Sequence, residues 1–200
     1  MKANDNSVNI ENSVRSYHHG GLRAAVIAEG LSQLKNETVE ALSLRQIARN
    51  VGVSATAIYR HFPDKASLLS ALARAGFESL GAQQSGAAEI GGKGSFAAVG
   101  QAYVRFAIAN PSLFRLMFST SLDRTGSAEE CDQTSPFQLL RSGVVALLPK
   151  ESSRTDELVS MLRAWSLVHG LAMLILDQQV DQAEANELID QIISVDSLNL

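Results

Sequence analysis

The stretch from Ser43 to Leu69, SLRQIARNVGVSATAIYRHFPDKASLL, constrains the fold more than any other part of the chain. It holds two helical patterns, 44–51 and 55–61, and helices shorter than about 12 residues are marginal in water by themselves. They must therefore pack against each other. Ser43 and Ser54 stand at N-cap positions, where a hydroxyl can satisfy a free amide, and Gly52 falls where a tight turn needs a positive φ. Leu44, Ile47 and Val51 share the inward face of the first helix, Ala48 is small enough for close approach, and Val53 and Ile58 complete a little core. This is the pattern of a helix-turn-helix, in which the start of the second helix is free to enter the major groove of DNA.

Helical spacing continues on both sides. Ala24, Ile27, Leu31 and Leu34 mark a first helix over about residues 19–35. Asp64 is placed to cap a fourth, after Pro63 and before Leu68, Leu69, Leu72 and Phe77. Residues 83–95, rich in Gly, Ala and Ser, are expected to end or loosen that helix and to divide the chain. Further helices are expected over 96–109, stopped by Asn110-Pro111, over 113–118, and over 136–148, stopped by Pro149. A long one starting after Ser153 or Thr155 runs to about Gln178, and 183–193 supplies the last; polar residues 123–135 read as a loop. Alternating β-branched runs bounded by hairpin turns are nearly absent. The expected fold is all-α, with about nine helices: a disordered tail over 1–14, a three-helix head over 15–82, and a helical body over 95–200.

Charge divides the chain at the same place. The net charge is −4, yet nine Lys and Arg stand against six Asp and Glu through residue 74, and eight against fifteen beyond it. A basic module joined to an acidic one fits a DNA-binding head on a body that does not touch DNA. The most apolar segment, 164–176, is interrupted by Ser166, His169 and Gly170, which argues against a membrane span. Residues 1–14 have no apolar stretch of the secretory type, so a cytoplasmic location is expected. Cys131 is the only cysteine, surrounded by Glu129, Glu130 and Asp132, which disfavour a thiolate. No metal or other cofactor is expected.

The run YRHFPDKASLL, from Tyr59 to Leu69, resembles the Tyr-x-His-Phe-x-x-Lys-x-x-Leu-Leu signature of the TetR (tetracycline repressor) family, and the likeness extends over about residues 15–80. The resemblance implies a bacterial transcription regulator that binds double-stranded operator DNA as a homodimer. It implies a recognition helix beginning at Ser54 that presents Ala55, Thr56, Ala57, Tyr59 and Arg60 to DNA. Thr56 and Ala57 could meet a thymine methyl and Arg60 a guanine or phosphate, whereas Tyr59, His61, Lys65 and Arg45 are expected to clamp phosphates. The preceding SYHHGGLR resembles the Tyr-His-His-Gly start found in part of the family and adds Tyr17, His18 and Arg23 as candidate backbone contacts.

Trp165, His169 and Met173 recur at i, i+4 and i+8, and with Gly170 they resemble the Trp-His-Gly type of C-terminal domain attached to some TetR-like proteins, over about 96–195. This implies a body that binds a small-molecule effector and pairs with a second body through its last two helices. Candidate pocket residues are Tyr103, Phe106, Phe114, Met117, Phe118, Phe137, Trp165, His169 and Met173. Candidate seam residues are Leu167, Leu171, Leu174, Leu188 and Ile192. Two other readings compete. An enzyme finds no support, since neither G-x-S-x-G nor H-E-x-x-H nor a phosphate-binding glycine loop occurs. A regulator controlled by a protein partner rather than a ligand would carry the same head.

Overall fold

The computed structural model describes residues 19–89, 93–119, 135–181 and 183–194. Among these residues the fold is all-α: α1 (His19–Gln33), α2 (Leu44–Val51), α3 (Ala55–Tyr59), α4 (Lys65–Ala88), α5 (Lys93–Ala109), α6 (Pro111–Ser119), α7 (Pro136–Leu147), α8 (Arg154–Leu176) and α9 (Ala185–Ile192). All of the expected 123–135 loop before Ser135, Cys131 within it, and the candidates Tyr17 and His18 lie outside the described residues.

Local chemistry fixes the helix ends. Gly52 adopts φ +79°, the Gly52 N–H donates to the Arg49 carbonyl at 3.1 Å, and the Val53 N–H reaches Ala48 at 3.0 Å, closing α2 in a left-handed cap. Ser54 caps α3 by accepting from the Ala57 N–H. Asp64 and Ser67 form a reciprocal capping box on α4, as do Ser153 and Asp156 on α8. Ser43 departs from expectation. It has the extended backbone of an N-cap, but its hydroxyl makes no capping hydrogen bond.

The largest departure is α4. The small residues after Gln83 do not stop it, and it continues to Ala88 because Gly81 and Gln84 are buried. The Gln84 amide donates to the Val99 carbonyl of α5 at 3.2 Å, so the last turns are held by tertiary contact rather than by propensity. α4 consequently belongs to both halves, packing on α1 in the head and on α5, α6 and α7 in the body. α8 lies across α5 and α7. It is the one described helix long and apolar enough to span a bilayer by length and composition, but here Met161, Ala164, Val168, Leu171, Ala172 and Ile175 make it a core helix.

Candidate nucleic-acid interface and effector site

The head is built around Ile47, Ile58 and Phe62, all fully buried, with Leu44 and Ala48 beside them. α1 braces this unit from behind. Glu29 accepts hydrogen bonds from Asn50 at 2.6 Å and from Gln33 at 2.9 Å, which hold its carboxyl below the usual range. The Arg23 guanidinium lies 5.5 Å from the centre of the Phe62 ring. With Ile58 pinned inside, helical spacing turns Thr56, Tyr59 and Arg60 outward together, and all three are exposed, as are Ser54 and Arg45. Ala55, Ala57 and His61 are half-buried at the edges of that face. Tyr59 is 43% exposed.

Lys65 lies at the start of α4, and its Nζ donates to the Glu40 carbonyl at 2.8 Å. An ammonium has three N–H groups, so this bond ties the loop before α2 to α4 and leaves two for a phosphate. The head also carries a groove of about 340 Å³ between α1 and α4, floored by Ala24, Ile27, Leu31, Ala71 and Ala75. It lies apart from the aromatic residues of the body.

In the body the structure brings most of the predicted pocket residues together. Tyr103, Phe114, Phe118, Trp165 and His169 form one cluster, with His169 4.8 Å from Phe118, 5.6 Å from Phe114 and 6.1 Å from Trp165 between ring centres. The Tyr103 hydroxyl is 2.9 Å from His169 Nδ1 and accepts from Trp165 Nε1 at 3.4 Å. Burial pushes the Tyr103 phenol up and the His169 imidazole below its ordinary value. Phe106 and Met117 are buried in the same core, and Met173 is packed at its edge. Phe137 does not join them: it is 57% exposed on α7. Among the described residues no group of three His, Cys, Asp or Glu could hold a metal ion.

Within one protomer the five predicted seam residues differ in exposure. Leu171 is turned into the protomer's own core, Leu167 and Ile192 are partly buried against it, and Leu188 is half-buried. Leu174 alone of the five is exposed. Exposed apolar side chains lie instead along α7 and α8: Phe137, Val145, Leu147, Leu158, Val159 and Leu162. Leu158 and Leu162, four residues apart on one face of an already recognised helix, were the available signal for this surface.

Comparison with known families agrees with both halves. The description "Bacterial regulatory proteins, tetR family" matches residues 26–72, and "Tetracyclin repressor-like, C-terminal domain" matches residues 96–195. The chain belongs to the TetR family of transcriptional regulators. Among solved structures, this TetR-family regulator is similar to a protein of unknown function from Rhodococcus sp. RHA1, at 32% identity over 92% of this chain and 96% of the other, with a TM-score of 0.72. The fold also recurs in a TetR variant from Acinetobacter baumannii AYE in complex with minocycline, at 16% identity over 88% and 91% of the two chains, TM-score 0.59. A possible TetR family transcriptional regulator from Streptomyces coelicolor A3(2) shares it at 16% identity over 89% of each, TM-score 0.56. No protein with a curated description matches the TetR-family chain significantly.

Proposed function

We propose that this regulator is a cytoplasmic repressor that holds palindromic operator DNA as a homodimer, through a head over 15–82, and releases it when a small apolar or aromatic effector enters the body over 95–200. The observation that carries the release mechanism is the contact between the aromatic cluster and α4. Phe118 meets Phe77 of α4 edge-on, with ring centres 5.4 Å apart. One residue earlier on α4, Gly76 leaves no room for a side chain, since a Cβ there would come within 2.7 Å of the Met117 sulfur and 3.1 Å of Leu113. A ligand that displaced α6 would push directly on α4, whose first turn carries Lys65 and follows the recognition helix.

Release requires that the ligand bind the DNA-incompetent arrangement better than the competent one. A ligand that lowers operator affinity tenfold must itself bind tenfold more weakly to the operator complex, a coupling of about 1.4 kcal/mol. The minocycline complex of the Acinetobacter protein supports a ligand-binding body on this fold. The exposed apolar side of α7 and α8 supports a dimer, and two heads then require half-sites about one helical turn apart.

Selection of bound fragments from random DNA with the purified protein should return a short palindrome. On that operator, Lys65→Ala should weaken specific and random DNA about equally and lower the salt slope by roughly one, whereas Thr56→Val and Arg60→Ala should change sequence preference. An unchanged slope removes Lys65 from the phosphate contacts, and uniform weakening by the other two makes them positioning contacts.

A further inference from the structure

We propose that His169 is a fixed hydrogen-bond donor to the effector, its Nε2–H oriented by a relay from Trp165 through Tyr103, and that the ligand is an uncharged aromatic molecule bearing an oxygen acceptor, such as an aryl ketone. The proposal rests on the effector reading above and specifies the chemistry of its site.

The relay has a direction. An indole N–H can only donate, so the Tyr103 oxygen accepts from Trp165. The Tyr103 hydroxyl is buried and remains protonated, and among the described residues the acceptor within its reach is His169 Nδ1 at 2.9 Å. Were Nδ1 to carry the ring hydrogen instead, the Tyr103 O–H would be buried without an acceptor, the costly outcome for any buried polar group. Nδ1 is therefore the acceptor and Nε2 carries the hydrogen. Burial lowers the imidazole pKa, which keeps the ring neutral and preserves this tautomer.

Nε2 makes no hydrogen bond to any described residue. It is not sealed in either, because the buried side-chain nitrogen and oxygen atoms without partners are Gln84 Oε1 and Ser85 Oγ. A half-buried directional donor is thus left without a described partner beside the rings of Tyr103, Phe114, Phe118 and Trp165. None of these walls carries a charge, so an ionic ligand would be desolvated with no counter-charge, whereas an aromatic ring would find edges and faces to pack on. One oriented polar group in an apolar surround is the usual composition of a small-molecule site.

The test uses the full-length protein without DNA and three probes of matched shape: acetophenone, ethylbenzene and benzoate. Nitrogen-15 NMR of the His169 ring should report the Nε2–H tautomer in the free protein. Acetophenone should shift the Nε2 resonance and bind at least tenfold more tightly than ethylbenzene or benzoate. Tyr103→Phe should shrink that preference by freeing the tautomer, and His169→Gln, which keeps a donor amide, should retain part of it where His169→Phe retains none. An Nδ1–H tautomer, equal affinity for acetophenone and ethylbenzene, tighter binding of benzoate, or no response to any probe would each overturn the proposal. Operator affinity is read separately. A probe that engages Nε2 and leaves operator binding unchanged defeats the release reading and not this one; release by a probe that leaves Nε2 unmoved does the reverse.

Discussion

The head and the body of this molecule both enclose apolar cores, but they differ in which polar groups they draw inward and which side chains they present to solvent. In the head, apolar residues such as Ile47, Ile58 and Phe62 are fully enclosed, and the outward positions of the recognition helix and its neighbour are Thr56, Tyr59, Arg60 and Arg45. In the body the polar groups Tyr103, His169 and Gln84 are drawn inward, while Phe137, Leu158, Val159, Leu162 and Leu174 face out. The contrast separates two kinds of recognition. Polar and cationic side chains can wait in water for a phosphate backbone at little cost, and they gain by releasing its counterions. An apolar helix face in water gains only when another apolar face covers it.

The largest expected effect comes from breaking the body's outer face. Leu158→Asp combined with Leu162→Asp places two charges where a dimer would desolvate them, and sedimentation should find monomers. Operator affinity should fall by a hundredfold or more, because each head then binds its half-site alone. A dimer that survives both changes would place the seam elsewhere and remove the contrast between the two surfaces.

Two glycines sharpen the comparison at a smaller scale. Gly52 in the head has open space around a hypothetical Cβ, and only its φ of +79° resists substitution. Gly143 in the body has no such backbone demand, but a Cβ there would collide with the Phe96 ring. Gly143→Ala should destabilise by about 1–3 kcal/mol through overpacking, and Gly52→Ala by about 1 kcal/mol through backbone strain. Asparagine separates the causes, since it visits the left-handed region readily: Gly52→Asn should recover most of the loss, and Gly143→Asn none. Denaturant midpoints would measure all four, and equal losses at the two sites would refute the distinction.

The same difference explains what was legible in the sequence. The head's determinants are local: Ser54 meets Ala57, Asp64 meets Ser67, and Val53 returns to Ala48, all within a few residues. Spacing alone therefore located α2, α3 and the outward positions of α3. In the body, Tyr103 meets His169 across 66 residues, and Gln84 holds α4 straight through a contact to Val99. Composition predicted an end or a loosening after Gln83, where that tertiary contact accompanies a helix continuing to Ala88. Spacing put Leu171 and Leu174 together on a seam, although the fold turns Leu171 inward and Leu174 outward. Helical periodicity identifies an apolar face but not which of several neighbours it covers. For Phe137 the aromatic character suggested a pocket, and only the placement of α7 reveals that the ring lies on the surface.

The smallest expected effect tests the inward polarity of the body through pH. Burial lowers the His169 pKa from the usual 6.5, and among the described residues the ring's contacts include no carboxylate to oppose it. Between that lowered value and 6.5 the unfolded chain holds a proton on this residue that the folded chain does not. Unfolding then takes up protons, so stability rises with pH across the window and declines as the solution is acidified below 6.5. The imidazole is only half-buried, which keeps the effect below that of either glycine change. Comparing wild type with His169→Gln cancels the other histidines. Denaturation at several pH values from 7 to 5 should give the wild type a steeper loss of stability than the variant. Equal slopes would mean that His169 titrates as it does in water, and its neutral state, accepting at Nδ1 and donating at Nε2, would have no support.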